Sequence, residues 1–157
     1  MREVCEEMNG NIEIDGDPIP QARPKVTLRG KYPHAYDPSG EDKRQFAAGV
    51  KARLPPSFAP IAAPLEVDLV FFCVRPKSHY NKAGNVKPIF RFLEKASRPD
   101  LDNLAKFVLD ALNNVVWVDD SQIVRLSVTK VYSDCPRTRV VWHVAQSISK
   151  DDGNYGN

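Results

Sequence analysis

The side chains with chemical potential lie in one short run, Arg98-Pro99-Asp100-Leu101-Asp102-Asn103-Leu104-Ala105-Lys106, and in the pair Asp119-Asp120. On a helix, Asp100 and Asp102 would stand about 200° apart and could not converge. On extended chain they share a side. Pro99 fixes its own φ and biases Arg98 toward extended backbone. Asp100 is therefore expected just outside a helix and Asp102 in its first turn, beside the positive end of the dipole. An all-oxygen set of this kind suits Mg²⁺, which binds through one or two carboxylates plus waters and substrate phosphate. Such an ion can activate water and polarise a phosphate. Lys106, four residues after Asp102, shares its face and could offset charge building on that phosphate. Asp110 continues the face and is expected to pair with Lys106.

The same residues have plainer readings, which the sequence leaves open. Asp100 could be a helix cap, Asp102 with Lys106 a surface ion pair worth well under about 1 kcal/mol, and Asp119-Asp120 an ordinary turn.

The elements that must position these groups are legible as patterns. Ile12 and Ile14 alternate with acids as a short strand that ends at Gly16-Asp17-Pro18. Residues 21–37 read as a loop or irregular hairpin. Pro38-Ser39-Gly40 opens a helix from Glu41 to Arg53, with Phe46, Ala47, Val50 and Leu54 at helical spacing. The clearest strand is Leu65 to Val74. Its odd positions fill one face, and Val70, Phe72 and Val74 make its second half apolar on both, as for a central strand. Residues 75–97 lack periodicity, which marks a functional or mobile loop. A helix follows from Leu101 to Asn113, with Leu101, Leu104, Ala105, Val108, Leu109 and Leu112 as its apolar stripe. Val124, Leu126 and Val128 alternate as a strand. A turn at Ser133-Asp134-Cys135-Pro136 leads to a last strand with Val140, Trp142 and Val144 on one face. Those two strands are expected to pair as an antiparallel hairpin. The organisation is a flexible lead-in at 1–11, one domain at 12–148 and a disordered tail at 149–157.

The 157 residues suffice for one domain with a core. No run approaches the roughly 20 apolar residues that span a bilayer, and the acidic start, Met1 to Gly10, is unlike a secretory signal. Cys5, Cys73 and Cys135 form no CxxC pair and no ligand spacing with the three histidines. A zinc site or disulfide framework is therefore not expected, and a reducing cytosolic compartment fits. The net charge of +2 is unevenly distributed. One basic stretch holds Arg23, Lys25, Arg29 and Lys31. A second holds Arg75, Lys77, Lys82, Lys87, Arg91, Lys95 and Arg98, with Glu94 its one acid. A polyanionic partner is one reading and a solvated loop the other.

Arg98 to Lys106, then Asp110-Ala111-Leu112-Asn113, then Trp117-Val118-Asp119-Asp120-Ser121-Gln122-Ile123, resemble the signature of the RusA family of Holliday-junction resolvases. Pro18 to Lys25 resembles that family's early basic segment, as does Arg75 to Tyr80. The likeness spans residues 12–145, though 75–97 is longer than in the smallest members. It implies an α+β fold, a small mixed sheet with the C-terminal hairpin packed against two helices. It implies catalytic, Mg²⁺-binding acids at Asp100, Asp102 and Asp120, with Mn²⁺ expected to substitute, and an assisting lysine at Lys106. A homodimer would nick opposing strands of a four-way DNA junction symmetrically, leaving 5′-phosphate and 3′-hydroxyl ends. Phosphate contacts are expected from Arg23, Lys25, Arg29, Lys31, Arg75, Lys77, Lys82, Lys87 and Arg98. His79 and Tyr80 are candidates for contact with unstacked bases, whereas Phe90 and Phe92 are expected to pack. A cytoplasmic, nucleoid-associated protein encoded by a phage or prophage would fit. A nuclease for flaps, forks or other branched DNA, and a DNA-binding module without catalysis, are the competing readings.

Overall fold

A computed structural model describes residues 8–146. Four strands form the main sheet: β1 (Gly10–Asp15), β4 (Leu65–Val74), β5 (Ile123–Ser133) and β6 (Arg137–Val144). Two more, β2 (Lys25–Arg29) and β3 (Tyr32–Tyr36), make a separate antiparallel ribbon. The helices are α1 (Gly40–Lys51) and α2 (Leu101–Ala111). The α+β class, the mixed sheet and the two helices match the sequence reading.

The sheet order is β1-β6-β4-β5. The expected C-terminal hairpin does not form. β5 pairs parallel with β4, β6 pairs antiparallel with β4, and β4 separates them. Alternation identifies strands but not their partners. The run that is apolar on both faces makes β4 the best-buried strand, and it takes a neighbour on each edge. The turn 134–136 then carries the chain across the end of β4. Between β4 and β5 the chain crosses over through α2, as a parallel pair requires.

One face of β4 forms the core: Leu65, Val67, Leu69, Phe71 and Cys73 are buried beneath the helices. α2 contributes Leu104, Phe107 and Val108, and Leu112 follows at its end, all essentially inaccessible, and each fully buried side chain of this kind stabilises the fold by about 1.5–3 kcal/mol. Phe107 lies outside the apolar stripe expected from spacing. It is buried because α1 flanks α2 and sets Phe46 edge-on against it at 5.7 Å. Leu101, by contrast, stays exposed. Among the described residues no second helical layer covers the opposite face of the sheet. Phe72 is roofed there by Arg137 and Arg139, at 3.6 and 5.3 Å from its ring, and Glu13 of β1 holds both guanidinium groups. This explains how a side chain outside the core can remain apolar.

The ends of the domain differ from expectation in detail. Gly10 and Asn11 already pair in β1 with Trp142 and Val141. Residues 1–7 and 147–157, and so most of the expected lead-in and all of the expected tail, lie outside the described residues. A Cβ at Gly10 would collide with the Trp142 indole, so this glycine permits close sheet packing. Residues 21–37, read as loop or irregular hairpin, contain the regular ribbon β2–β3.

The segment 75–97 is tied down. Single helical turns at Lys77–His79 and Pro88–Phe90 flank a small loop closed by the Tyr80–Val86 bridge. Its final part runs along the outer edge of β5. The Tyr132 amide donates to the Leu93 carbonyl at 2.7 Å, and the Lys95 amide donates to the Lys130 carbonyl at 3.1 Å. No helix among the described residues is long and apolar enough to cross a membrane.

Candidate active site

Asp100 occupies the position just before α2, in extended conformation (φ −70°, ψ 141°). Its carbonyl accepts the Leu104 amide, but its carboxylate caps nothing. An Asp at this position would ordinarily bond the free amides of the first turn, so the capping reading fails for its side chain. Asp102 follows in the exposed first turn and accepts the adjacent Asn103 amide at 2.9 Å. Lys106 is exposed one turn later and forms no ion pair among the described residues, with Asp102 or any other acid. Asp110 does not pair with Lys106 as expected. It accepts Lys43 of α1 at 2.9 Å, because α1 lies against that side of α2.

The pair Asp119-Asp120 divides its work. Asp119 caps a single helical turn, accepting from Ser121, while the Gln122 side chain returns to the Asp119 amide at 2.8 Å. The Gln122 amide also donates to the carbonyls of Ile61 and Ala63, each at 2.9 Å. The turn is thereby pinned beneath the start of β4. Asp120 forms no ion pair among the described residues and is half-exposed. The rest of the motif serves the same placement: buried Trp117 donates its indole N–H to Asn113 Oδ1 at 3.0 Å. Asn114 takes the left-handed backbone (φ 61°) that ends α2.

These elements do not gather the three candidate acids within one chain. Asp100 and Asp102 stand at the N-terminal end of α2. Asp120 stands beyond its C-terminal end, next to the start of β5. The eleven residues of α2 span roughly 16 Å at about 1.5 Å each. Among the described residues no group of three His, Cys, Asp or Glu side chains could hold a metal ion. Asp100 and Asp102 alone offer the hard oxygen donors that Mg²⁺ accepts alongside waters and phosphate.

Two positioning groups escaped the sequence reading. Lys130 of β5 donates to the Ser97 carbonyl at 2.7 Å and the Pro99 carbonyl at 2.6 Å, fixing the chain just before Asp100. The cue is parity: Lys130 lies opposite Phe71, in register with Leu126, Val128 and Tyr132 on the core-facing side. The second group centres on Asp37. It accepts from Lys43 at 2.8 Å, from the Ser39 amide at 2.9 Å and from Gln21 at 3.0 Å. The Lys43 hydrogen bond is the main reason its pKa is held down to about 2, against the opposing effect of burial. Burial alone would lower the Lys43 pKa, but its bonds to Asp37 and Asp110 outweigh that and raise it. The Gln21 amide donates to the Asn103 carbonyl at 2.9 Å, and the Ala22 amide to buried Ser39 Oγ at 2.8 Å. Both roots of the β2–β3 ribbon are thus fastened to α1 and to the first turn of α2. No local pattern announces this network.

The expected phosphate contacts separate clearly. Arg23, Lys25, Lys31, Lys77, Lys82 and Arg98 are exposed, and Arg29 ends β2. Lys87 is half-buried and donates to the Ser78 carbonyl. Arg75 turns inward. It is buried, donates to the carbonyls of Phe90 (2.6 Å) and Phe92 (3.1 Å), and lies 4.7 Å from the Tyr132 ring centre. It continues the inward parity of Leu65 to Cys73, so its guanidinium organises the loop rather than standing free for phosphate. Phe90 packs as expected, but its partner is His79, stacked at 3.9 Å. Burial, reinforced by Arg75, Lys87 and Lys95, lowers the His79 pKa.

Comparison with known proteins agrees with this architecture. The family profile described as Endodeoxyribonuclease RusA matches residues 15–141. A protein of Bacillus subtilis (strain 168), named Uncharacterized protein YqaN, is 36% identical over 130 residues, covering 82% of this chain and 91% of its own length. The profile match therefore defines a DNA-cleaving nuclease class. The chain belongs to the RusA endodeoxyribonuclease family.

Proposed function

We propose that the chain is a Mg²⁺-dependent endonuclease that resolves four-way DNA junctions by paired, symmetric nicks as a homodimer. The observation that carries this reading is how the acids of the 98–122 motif divide between internal and free roles. Within that motif Asp110 pairs with Lys43 and Asp119 caps its own turn, whereas the carboxylates of Asp100 and Asp120 cap nothing, and Asp100, Asp102, Asp120 and Lys106 form no ion pair among the described residues. These are the positions where the family's signature places its acids and lysine.

Asp100 and Asp102 would hold the ion, and Asp120 of the partner subunit would complete the set across the two-fold axis, because its own chain keeps it at the far end of α2. When bound, Mg²⁺ supplies water activation and charge neutralisation at phosphate. Lys106 offers its ammonium to the phosphate oxygens as charge develops. Exposed cations near the start of α2 orient the backbone, making binding steeply salt-dependent.

The test is incubation of a labelled four-way junction with purified protein, with Mg²⁺, with Mn²⁺ and with chelator. Paired nicks at the junction centre in either metal and none in chelator are expected. Asp102→Asn should bind the junction without cutting it. Preferential cutting of flaps or forks would favour a broader branched-DNA nuclease. Unchanged DNA-related activities in Asp102→Asn would favour a binding module.

A further inference from the structure

The β2–β3 ribbon has no evident structural purpose. Every described side chain from Lys25 to Tyr36 is exposed. Residue pairing sorts the ribbon into two faces. Val26 and Leu28 oppose Ala35 and Pro33, and Lys25 and Thr27 oppose Tyr36 and His34. One face is therefore apolar throughout, yet Val26 is 67% and Leu28 79% exposed. A solvated ribbon gains nothing from such a face, and unpartnered apolar strands invite association.

Charge indicates the partner. Residues 21–36 contain Arg23, Lys25, Arg29 and Lys31 and no acid. Asp37, the first acid after them, is neutralised by Lys43. A protein surface would have to answer these cations with acids, whereas DNA answers them everywhere with phosphate. The fastened roots hold the ribbon beside Asn103, adjacent to Asp102. Each five-residue strand reaches roughly 17 Å at about 3.4 Å per residue.

We propose that the ribbon is a DNA-inserting arm, whose Leu28–Pro33 pair, one residue pair back from the Gly30-Lys31 turn, wedges between bases at the branch while the cations hold flanking phosphates. This rests on the branched-DNA reading above. Leu and Pro are typical wedge residues, and the cost of unstacking is least where stacking is already interrupted. The arm would thus favour branch points over continuous duplex.

A four-way junction carrying 2-aminopurine beside the crossover tests this in chelator, where nothing is cut. Saturating wild-type protein should raise the fluorescence several-fold. Leu28→Ser and Pro33→Ser should each lose most of that rise, with junction affinity falling about tenfold or less and linear-duplex affinity unchanged. Lys25→Gln should weaken binding to both DNAs yet keep the rise at saturation. Junction binding with an equal rise in wild type and Leu28→Ser, or with no rise in wild type, overturns the wedge and leaves the junction reading standing. Failure of wild type to bind branched DNA overturns both. If Leu28→Ser shifts the sedimentation of DNA-free protein toward monomer and keeps the rise, the apolar face belongs to a second copy and the wedge is again overturned.

Discussion

Adjacent aspartates have different assignments here, and Asp119 and Asp120 make that measurable. Removing the Asp119 cap should cost about 0.5–2 kcal/mol. Asp119→Ala should therefore lower the midpoint of chemical denaturation. Asp120→Asn should leave that midpoint unchanged and reduce junction cleavage by a hundredfold or more. Equal loss of stability in both variants would show that Asp120 is also structural. The sequence motif singles out these residues, but it cannot say which acid the fold uses for itself. That depends on Gln122 reaching the carbonyls of Ile61 and Ala63, about sixty positions away. Arg75 shows a similar gap: its inward parity was visible, but the carbonyls that satisfy it lie in a loop without periodicity.

Among the elements, β5 positions the start of α2 through the two bonds of Lys130. Lys130→Met should cut cleavage about tenfold and raise the Mg²⁺ concentration needed for half-maximal rate, with junction affinity retained. Lys130→Arg should recover part of the loss. A fall in binding with an unchanged Mg²⁺ requirement would instead make Lys130 a DNA contact. The ribbon roots carry a pH dependence. Asp37 has its pKa depressed from an ordinary 3.8 to about 2. A depressed carboxyl contributes stability that is complete above the unfolded value and is lost as pH falls through the folded one. The contribution of Asp37 should thus fade between about pH 4 and pH 2. Denaturation of wild type and Asp37→Asn at pH 5, 3 and 2 should show their stability difference shrinking with acid; a constant difference would contradict this linkage. Helix and strand positions were legible because their apolar periodicities are strong. The β4–β5 and β4–β6 pairings were not, since they depend on which edges of β4 remain open.

At the scale of the whole molecule, the proposed site is divided between the two ends of α2, and the proposed homodimer would bring one end of each protomer to the other's opposite end. Asp102→Asn and Asp120→Asn should each be inactive alone. Mixed after subunit exchange, they form heterodimers in which one of the two sites has every acid intact. Single-strand nicking should then return to a substantial fraction of the wild-type rate, without paired cuts. No recovery, with subunit exchange verified, would place each complete site within one chain. Sequence could suggest the four residues because their types and spacing are local. It could not reveal their separation, which follows from the crossover through α2.

The Tyr80–Val86 bridge closes the base of a small loop whose apex includes Gly84 in left-handed backbone (φ 82°). The neck is held by opposed backbone bonds, Asn81 to Asn85 and Lys87 to His79, while the amides of Ala83 and Gly84 at the apex donate within the loop, to Asn81. That arrangement makes the apex a natural grafting point. A short epitope or dye-acceptor peptide spliced between Ala83 and Gly84 should leave melting temperature and junction cleavage near wild type, giving a reporter on the nuclease surface. The same peptide spliced between Glu94 and Lys95 should prise the loop from β5 and abolish cutting.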